Sequence, residues 1–164
     1  MIIKVDDWAF DVDLDTTMVY SAQEAQEHCT CGYCRNFYTA VDGVYPGLRP
    51  FLAQFGVDIE APDQLIPYEP TLMDGFYAIS GRVIRFGSKP MFIDGLSICV
   101  ADSDDLHVNV CCPEPYFVLN TGLMELPWVL DEKVEDVISP ANDPDFLDEI
   151  ASKGLTFPSN GYIQ

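Results

Sequence analysis

A series of short apolar segments between residues 72 and 130 constrains the fold of this chain more than any other feature of its sequence. Residues that favour turns, such as Asp94-Gly95 and Asn120-Thr121-Gly122, separate each segment from the next. Short strands with turn residues at this spacing are typical of an antiparallel meander. The predicted strand residues are Phe76, Ala78 and Val83–Phe86, then Met91–Ile93, Leu96–Val100, Leu106–Cys111 and Tyr116–Leu119.

The remaining sequence predicts one further strand and several short helices. Between Ile2 and Asp15, apolar residues alternate with aspartates, which is typical of a strand with one solvated face. Ser21 and Glu24 have the spacing of a capping box, so a short helix is expected to run to about His28. Further predictions are a helix with Phe37, Ala40 and Val41 that ends at Gly43, a helix from Pro46 to Gly56, and an extended connector from Val57 to Pro70.

The length of the chain, 164 residues, is that of one domain. Helices beside a mostly antiparallel sheet make α+β the expected fold class. We predict a single α+β domain over residues 1–164, with its core in residues 1–140. Residues 141–164 are expected to form an acidic C-terminal helix or tail, because Asp143-Pro144-Asp145 combines a capping residue with a proline at the first helical position.

The charge of the chain excludes several kinds of partner. Asp and Glu number 27 against 8 Lys and Arg, which gives a formal net charge of −19 at pH 7. Binding to nucleic acid or to an anionic membrane surface requires clustered basic residues, and the basic residues here are scattered. The chain also lacks the run of about 18 apolar residues that would span a membrane. The acidic excess predicts either a well-solvated surface or a surface that binds a basic protein partner.

The compartment expected from the sequence is the cytoplasm. Acidic residues interrupt the N-terminal segment before the apolar core of a signal peptide could form. In a reducing compartment, the six cysteines are expected to be free thiols, metal ligands or redox groups rather than structural disulfides.

Three of the cysteines lie within six residues, in the sequence Cys29-Thr30-Cys31-Gly32-Tyr33-Cys34. Thiolates at this spacing are typical of a zinc knuckle, and the glycine permits a tight turn. Cys29, Cys31 and Cys34 are therefore candidate ligands of a Zn²⁺ ion. A tetrahedral site needs a fourth ligand. The candidates for it are Cys111, Cys112 and His107, with Cys99 and the adjacent His28 as further donors.

Cys31 and Cys34 also have the C-x-x-C spacing of a thiol redox site. A thiol at the N-terminus of a helix has a lowered pKa and is a better nucleophile, and the neighbouring Arg35 would add to this effect. The strand that precedes such a motif in thioredoxin-like folds is not predicted here, since the preceding segment is polar. Thiol redox chemistry is therefore an alternative hypothesis for the same cysteines.

Catalytic signals are weak elsewhere in the sequence. The chain has 2 histidines, and it has neither a phosphate-binding glycine loop nor a nucleophile elbow. We therefore expect a non-enzymatic protein-interaction domain, with structural zinc binding and thiol redox activity as the two alternatives.

Five segments of the chain form a recognisable pattern, and they are Trp8–Asp13, Cys29–Tyr38, Tyr45–Leu48, Phe51–Ile59 and Leu126–Leu130. In these segments the chain resembles a family of short, acidic bacterial proteins of unknown function that carry a C-x-C-x-Y-C-R-N-F-Y motif. The resemblance covers residues 1–60 most fully, the predicted sheet loosely, and hardly any residue beyond 140. It implies a shared fold, and it implies no activity, cofactor or partner.

Overall fold

Antiparallel pairing joins the strands of the described residues into one seven-stranded sheet, which three helices accompany. The computed structural model describes residues 1–101, 106, 109–134 and 152. Its α+β architecture confirms the fold class predicted from the sequence. The helices are α1 (Leu14–Gln26), α2 (Gly32–Val44) and α3 (Leu48–Ala53). The strands are β1 (Ile2–Val5), β2 (Trp8–Val12), β3 (Gln64–Glu69), β4 (Leu72–Arg85), β5 (Met91–Ile93), β6 (Leu96–Val100) and β7 (Tyr116–Glu125).

The long strand β4 connects the two halves of the sheet. The order across the sheet is β1-β2-β4-β7-β6-β5, and β3 pairs with β4 as well. Residues 81–85 of β4 pair with β2, whereas residues 72–80 pair with β7. At Gly81 the φ angle is +140°, and a Cβ atom would lie 2.1 Å from the carbonyl oxygen of Asp11. A residue without a side chain is therefore required where β4 changes partner.

The N-terminal segment forms a hairpin followed by a helix, so the prediction of one strand over Ile2–Asp15 is wrong beyond β2. The Asp13 carboxylate accepts a hydrogen bond from the Thr16 backbone N–H (3.1 Å) and thereby caps α1. The predicted helix start at Ser21 is also wrong. Ser21 is buried within α1, and its hydroxyl accepts a hydrogen bond from the backbone N–H of Asp58 (2.8 Å).

Helices α2 and α3 confirm two of the predicted helices, with shifted ends. Helix α2 continues past Gly43, the predicted stop, to Val44. Helix α3 is shorter than the predicted segment from Pro46 to Gly56, and Gly56 follows it with a φ angle of +81°. A left-handed glycine just after a helix is a common way of ending it.

The sheet contains more strand than the sequence predicted. The predicted connector from Val57 to Pro70 includes β3, which pairs with β4. The predicted turn at residues 120–122 is wrong, because β7 runs through it. The polar side chains of this segment bind β4 instead: Asn120 donates to Asp74 (2.6 Å), and the Thr121 hydroxyl accepts from the N–H of Gly75 (3.1 Å). By contrast, the Asp94-Gly95 turn between β5 and β6 is confirmed, with φ angles of 51° and 84°.

Two predictions fall wholly or partly on residues that the structure does not describe. The predicted strand Leu106–Cys111 is not formed at Leu106 or at residues 109–111, and His107 and Val108 lie outside the described residues. The predicted helix or tail over residues 141–164 also lies outside them, apart from position 152.

One large apolar core joins the sheet to α2 and α3. At its centre, the ring of Phe10 packs against the rings of Phe55 (5.3 Å between centroids) and Phe117 (5.1 Å). Helix α2 contributes Phe37 and Val41, which are both completely buried. This packing fixes α2 in the core from its first turn onward, whereas Cys31, the residue just before the helix, is exposed. No helix in the described part of the chain is long and apolar enough to cross a membrane.

Candidate metal centre

The three clustered cysteines lie at the start of α2. Cys29 is in the turn after α1, Cys31 is the residue that caps α2, and Cys34 is in the first turn of α2. Residues three apart at the start of a helix lie on the same side of it, which brings Cys31 and Cys34 together. The sulfur atoms of all three cysteines lie within 4.8 Å of one another.

Hydrogen bonds hold the turn that carries Cys29. The backbone N–H of Cys31 points at the Cys29 sulfur (3.5 Å), and the hydroxyl of Tyr38 donates to the Cys29 carbonyl oxygen (3.0 Å). The Nε of Arg35 donates to the carbonyl oxygen of Thr30 (2.8 Å). Hydrogen-bond donors at the start of α2 and in its first two turns therefore hold the segment with Cys29 and Thr30 close to the helix start.

The cysteines of α2 differ in exposure and in acidity. Cys31 is exposed, whereas Cys34 is 8% exposed. The S–H of Cys34 donates to the Cys31 sulfur, and this contact, aided by the N–H groups of Cys34 and Tyr33, lowers the pKa of Cys31 to about 5. These N–H groups lie near the sulfur without forming a full capping hydrogen bond. The same contact, together with burial, raises the pKa of Cys34.

The arrangement is compatible with a thiolate-bound metal ion. Two sulfur atoms held at about 2.3 Å from a tetrahedral zinc ion lie about 3.8 Å apart. The observed separations, all within 4.8 Å, thus need to close by about 1 Å or less. Three close cysteines at one surface could therefore hold a metal ion, although a zinc tetrahedron also needs a fourth donor.

Those candidate fourth ligands that the structure describes lie away from the three-cysteine group. Among the described His, Cys, Asp and Glu residues, the group at this site consists of the three cysteines. Cys112 is buried in a second apolar cluster with Tyr20 and Phe76, where burial raises the pKa of its thiol to about 12. Cys111 is exposed and lines a shallow groove beside α1, and His107 lies outside the described residues.

The two further donors named from the sequence have other surroundings. The Nδ1 atom of His28 is 3.1 Å from the carbonyl oxygen of Glu60, and its ring stacks on Tyr38 at 4.4 Å. Cys99 is part of β6. Neither residue belongs to the three-cysteine group.

A distant segment packs against the start of α2. Asn36 is completely buried; its side chain donates to the Pro127 carbonyl oxygen (3.0 Å) and accepts from the N–H of Val129 (2.8 Å). The guanidinium of Arg35 forms two hydrogen bonds to the Glu132 carboxylate (3.0 and 2.7 Å). The predicted effect of Arg35 on the cysteines is therefore secondary, because this guanidinium pairs first with Glu132.

Sequence reasoning missed the part that Asn36 and Glu132 play beside the cysteines. A signal for Asn36 was present, because Cys29–Tyr38 and Leu126–Leu130 were two of the segments that carried the family resemblance. The structure brings these two segments into contact. Nothing in the sequence around Glu132 distinguishes it from the other acidic residues nearby.

Comparison of the chain with protein-family models, with curated proteins and with solved structures found no match. The resemblance to a bacterial family consequently stays a prediction, and the residues of the site alone support the functional proposals.

Proposed function

We propose that the protein binds Zn²⁺ through Cys29, Cys31 and Cys34, and that the ion ties the turn after α1 to the first turn of α2. The observation that supports this function is the convergence of three sulfur atoms within 4.8 Å of one another, two of them on exposed residues and one on a buried residue. Three thiols from a six-residue segment form a compact donor set with few intervening residues to order.

The chemistry of the donors favours zinc over the common hard cations. Thiolates are soft ligands that select Zn²⁺, Cu(I) or iron–sulfur clusters, whereas Mg²⁺ and Ca²⁺ prefer oxygen ligands. Short-spaced cysteines that include a C-x-x-C pair are characteristic of structural zinc sites. Because such a site does not exist in the unfolded chain, zinc binding would also stabilise the fold.

Titration of the reduced, metal-free protein with Co²⁺ tests this proposal, because cobalt replaces zinc and absorbs light when thiolates bind it. We expect a thiolate-to-cobalt absorption band that saturates at one equivalent and disappears when Zn²⁺ is added. Each of the variants Cys29→Ser, Cys31→Ser and Cys34→Ser is expected to lower the intensity of the band by about one third, since one of three thiolates is lost.

The matched control is Cys111→Ser, which removes an exposed cysteine outside the three-cysteine group. This variant should bind cobalt as the parent protein does. A parent protein without the band would overturn the proposal, and so would a band that persists unchanged in all three variants of the cluster.

Binding to a basic protein partner is the alternative proposal. It is supported by the acidic charge of the chain and by the exposure of carboxylates such as those of Asp11, Asp13 and Asp15. Exposed charges act over about 8–10 Å at physiological salt, so such binding would weaken as salt is added.

A further inference from the structure

We infer that, in the metal-free protein, Cys31 and Cys34 form a reversible disulfide by exchange with a small-molecule disulfide such as oxidised glutathione. We also infer that this reaction and metal binding exclude one another, a second part that rests on the proposed zinc site. The first part requires no metal and is independent of that site.

The positions of the two sulfur atoms divide the exchange reaction between them. Cys31 is an exposed residue at the helix start, where a disulfide in solution can approach it. Cys34 is 8% exposed, and its sulfur lies within 4.8 Å of that of Cys31. Cys31 is therefore suited to attack the incoming disulfide, and Cys34 to complete the reaction from within the protein.

The start of α2 brings the two reacting sulfur atoms together. Cys31 is the residue that caps a 13-residue helix, and the helix dipole favours negative charge at this end. The sulfur of Cys34, three residues further on, lies within 4.8 Å of the Cys31 sulfur. The attacking atom therefore has beside it the group that completes the reaction.

The exchange proceeds in two steps that balance. The Cys31 thiolate attacks one sulfur of oxidised glutathione, the S–S bond breaks, and one glutathione leaves as a thiolate that takes a proton from solvent. Cys34 then loses its proton to solvent, and its sulfur attacks the Cys31 sulfur, which releases the second glutathione. Two protein thiols are oxidised to one disulfide, and one glutathione disulfide is reduced to two thiols.

Cys29 has a different place in this scheme. Its sulfur faces the backbone N–H of Cys31 (3.5 Å), and one residue separates it from Cys31 in the chain. A disulfide between Cys31 and Cys34 would leave Cys29 as the one remaining reduced cysteine of the cluster. Since disulfide sulfurs are not thiolate ligands, oxidation would remove two of three metal ligands and release the ion.

In the test, the metal-free protein (residues 1–164) is incubated with mixtures of oxidised and reduced glutathione, the remaining thiols are blocked with an alkylating reagent, and the linked peptides are mapped. We expect a Cys31–Cys34 disulfide that reduced glutathione reverses. Cys34→Ser should accumulate glutathione on Cys31, and Cys31→Ser should leave Cys34 largely unmodified because it is buried. The control Cys111→Ser should behave as the parent protein.

Three results would overturn the inference: no Cys31–Cys34 link under excess oxidised glutathione, a predominant link to Cys29, or rapid glutathionylation of Cys34 in Cys31→Ser.

A zinc-loaded sample separates this inference from the proposed function. Zinc release that accompanies disulfide formation supports both parts. If the disulfide forms but no zinc binds, the zinc proposal fails and the exchange reaction stands. If zinc binds but no disulfide forms in the metal-free protein, the inference about the disulfide fails.

Discussion

Replacement of Asp63 by alanine is expected to destabilise the fold by about 2–4 kcal/mol. The Asp63 carboxylate accepts hydrogen bonds from the Tyr20 hydroxyl and from the backbone N–H of Ala78, the latter at 2.6 Å. The donor residues are 6% and 2% exposed, respectively, so water cannot readily replace the lost acceptor. A buried donor without a partner costs about 1–3 kcal/mol, and two neighbouring donors need not add fully.

Urea unfolding at neutral pH measures this change, with Asp63→Asn as the matched control. The asparagine keeps an oxygen that accepts from the Ala78 N–H, and its amide N–H donates to the oxygen of the Tyr20 hydroxyl, so both groups keep a hydrogen-bond partner although the second bond is reversed. It also removes a carboxylate whose pKa is raised by burial. We expect the asparagine variant to lose less than about 1 kcal/mol, and the alanine variant to lose about 4–16 °C in thermal midpoint, at roughly 2–4 °C per kcal/mol.

The result that would refute this reasoning is an alanine variant as stable as the asparagine variant, with an unchanged dependence on urea. Such a result would mean that the two donors find water or another acceptor, and that Asp63 does not fasten α1 to β4. A change in the urea dependence alone would instead indicate an altered unfolded state.

Three further predictions concern the cysteine site and the surface. In the metal-free protein, the pKa of Cys31 should be about 5 and should rise in Cys34→Ala, as the pH dependence of alkylation would show. Because folding lowers this pKa, the ionised Cys31 thiol stabilises the fold. This contribution to stability is complete above the unfolded pKa of 9.0 and is lost as the pH falls through about 5. Arg35→Ala should change the free energy of unfolding only slightly, because solvent screens its exposed ion pair with Glu132, and a double-mutant cycle with Glu132→Ala would measure the coupling. Binding to a basic protein such as a histone should weaken at least tenfold between roughly 50 and 200 mM salt, and binding that ignores salt would count against the acidic-surface proposal.

The antiparallel sheet could be predicted where local signals agree. At Asp94-Gly95, two turn residues lie between apolar segments, and both adopt the left-handed conformation that the turn requires. The turn predicted at Asn120-Thr121-Gly122 carries a similar local signal. There, however, the side chains of Asn120 and Thr121 bind residues of β4 that lie 46 positions away, so the segment stays in the strand.

The start of α1 shows a second limit of local reasoning. Leu14 continues the alternation of apolar residues from β2, and it is also the first residue of a helix. The bond from the Thr16 N–H to Asp13 decides between the two structures, and a helix cap at Asp13 could have been read from the sequence. Ser21, in contrast, has the spacing of a capping residue in the sequence, but its hydroxyl accepts a hydrogen bond from the backbone N–H of Asp58.

The cysteine site could be located from sequence because its three thiols lie within one helical turn and the turn before it. Its surroundings could not be derived in the same way. The contacts of Asn36 with Pro127 and Val129 join positions more than 90 residues apart, and they depend on the packing of the whole core. Local spacing therefore predicts which thiols meet, whereas tertiary structure determines what covers them.

The zinc content of the protein, purified without added metal and without chelator, tests the central claim most directly. Elemental analysis of the parent protein should give close to one equivalent of zinc per chain, and Cys111→Ser should retain it. The triple variant that combines Cys29→Ser, Cys31→Ser and Cys34→Ser should contain almost none. A parent protein with less than about a tenth of an equivalent would contradict the zinc site, because structural zinc sites bind tightly enough to survive purification.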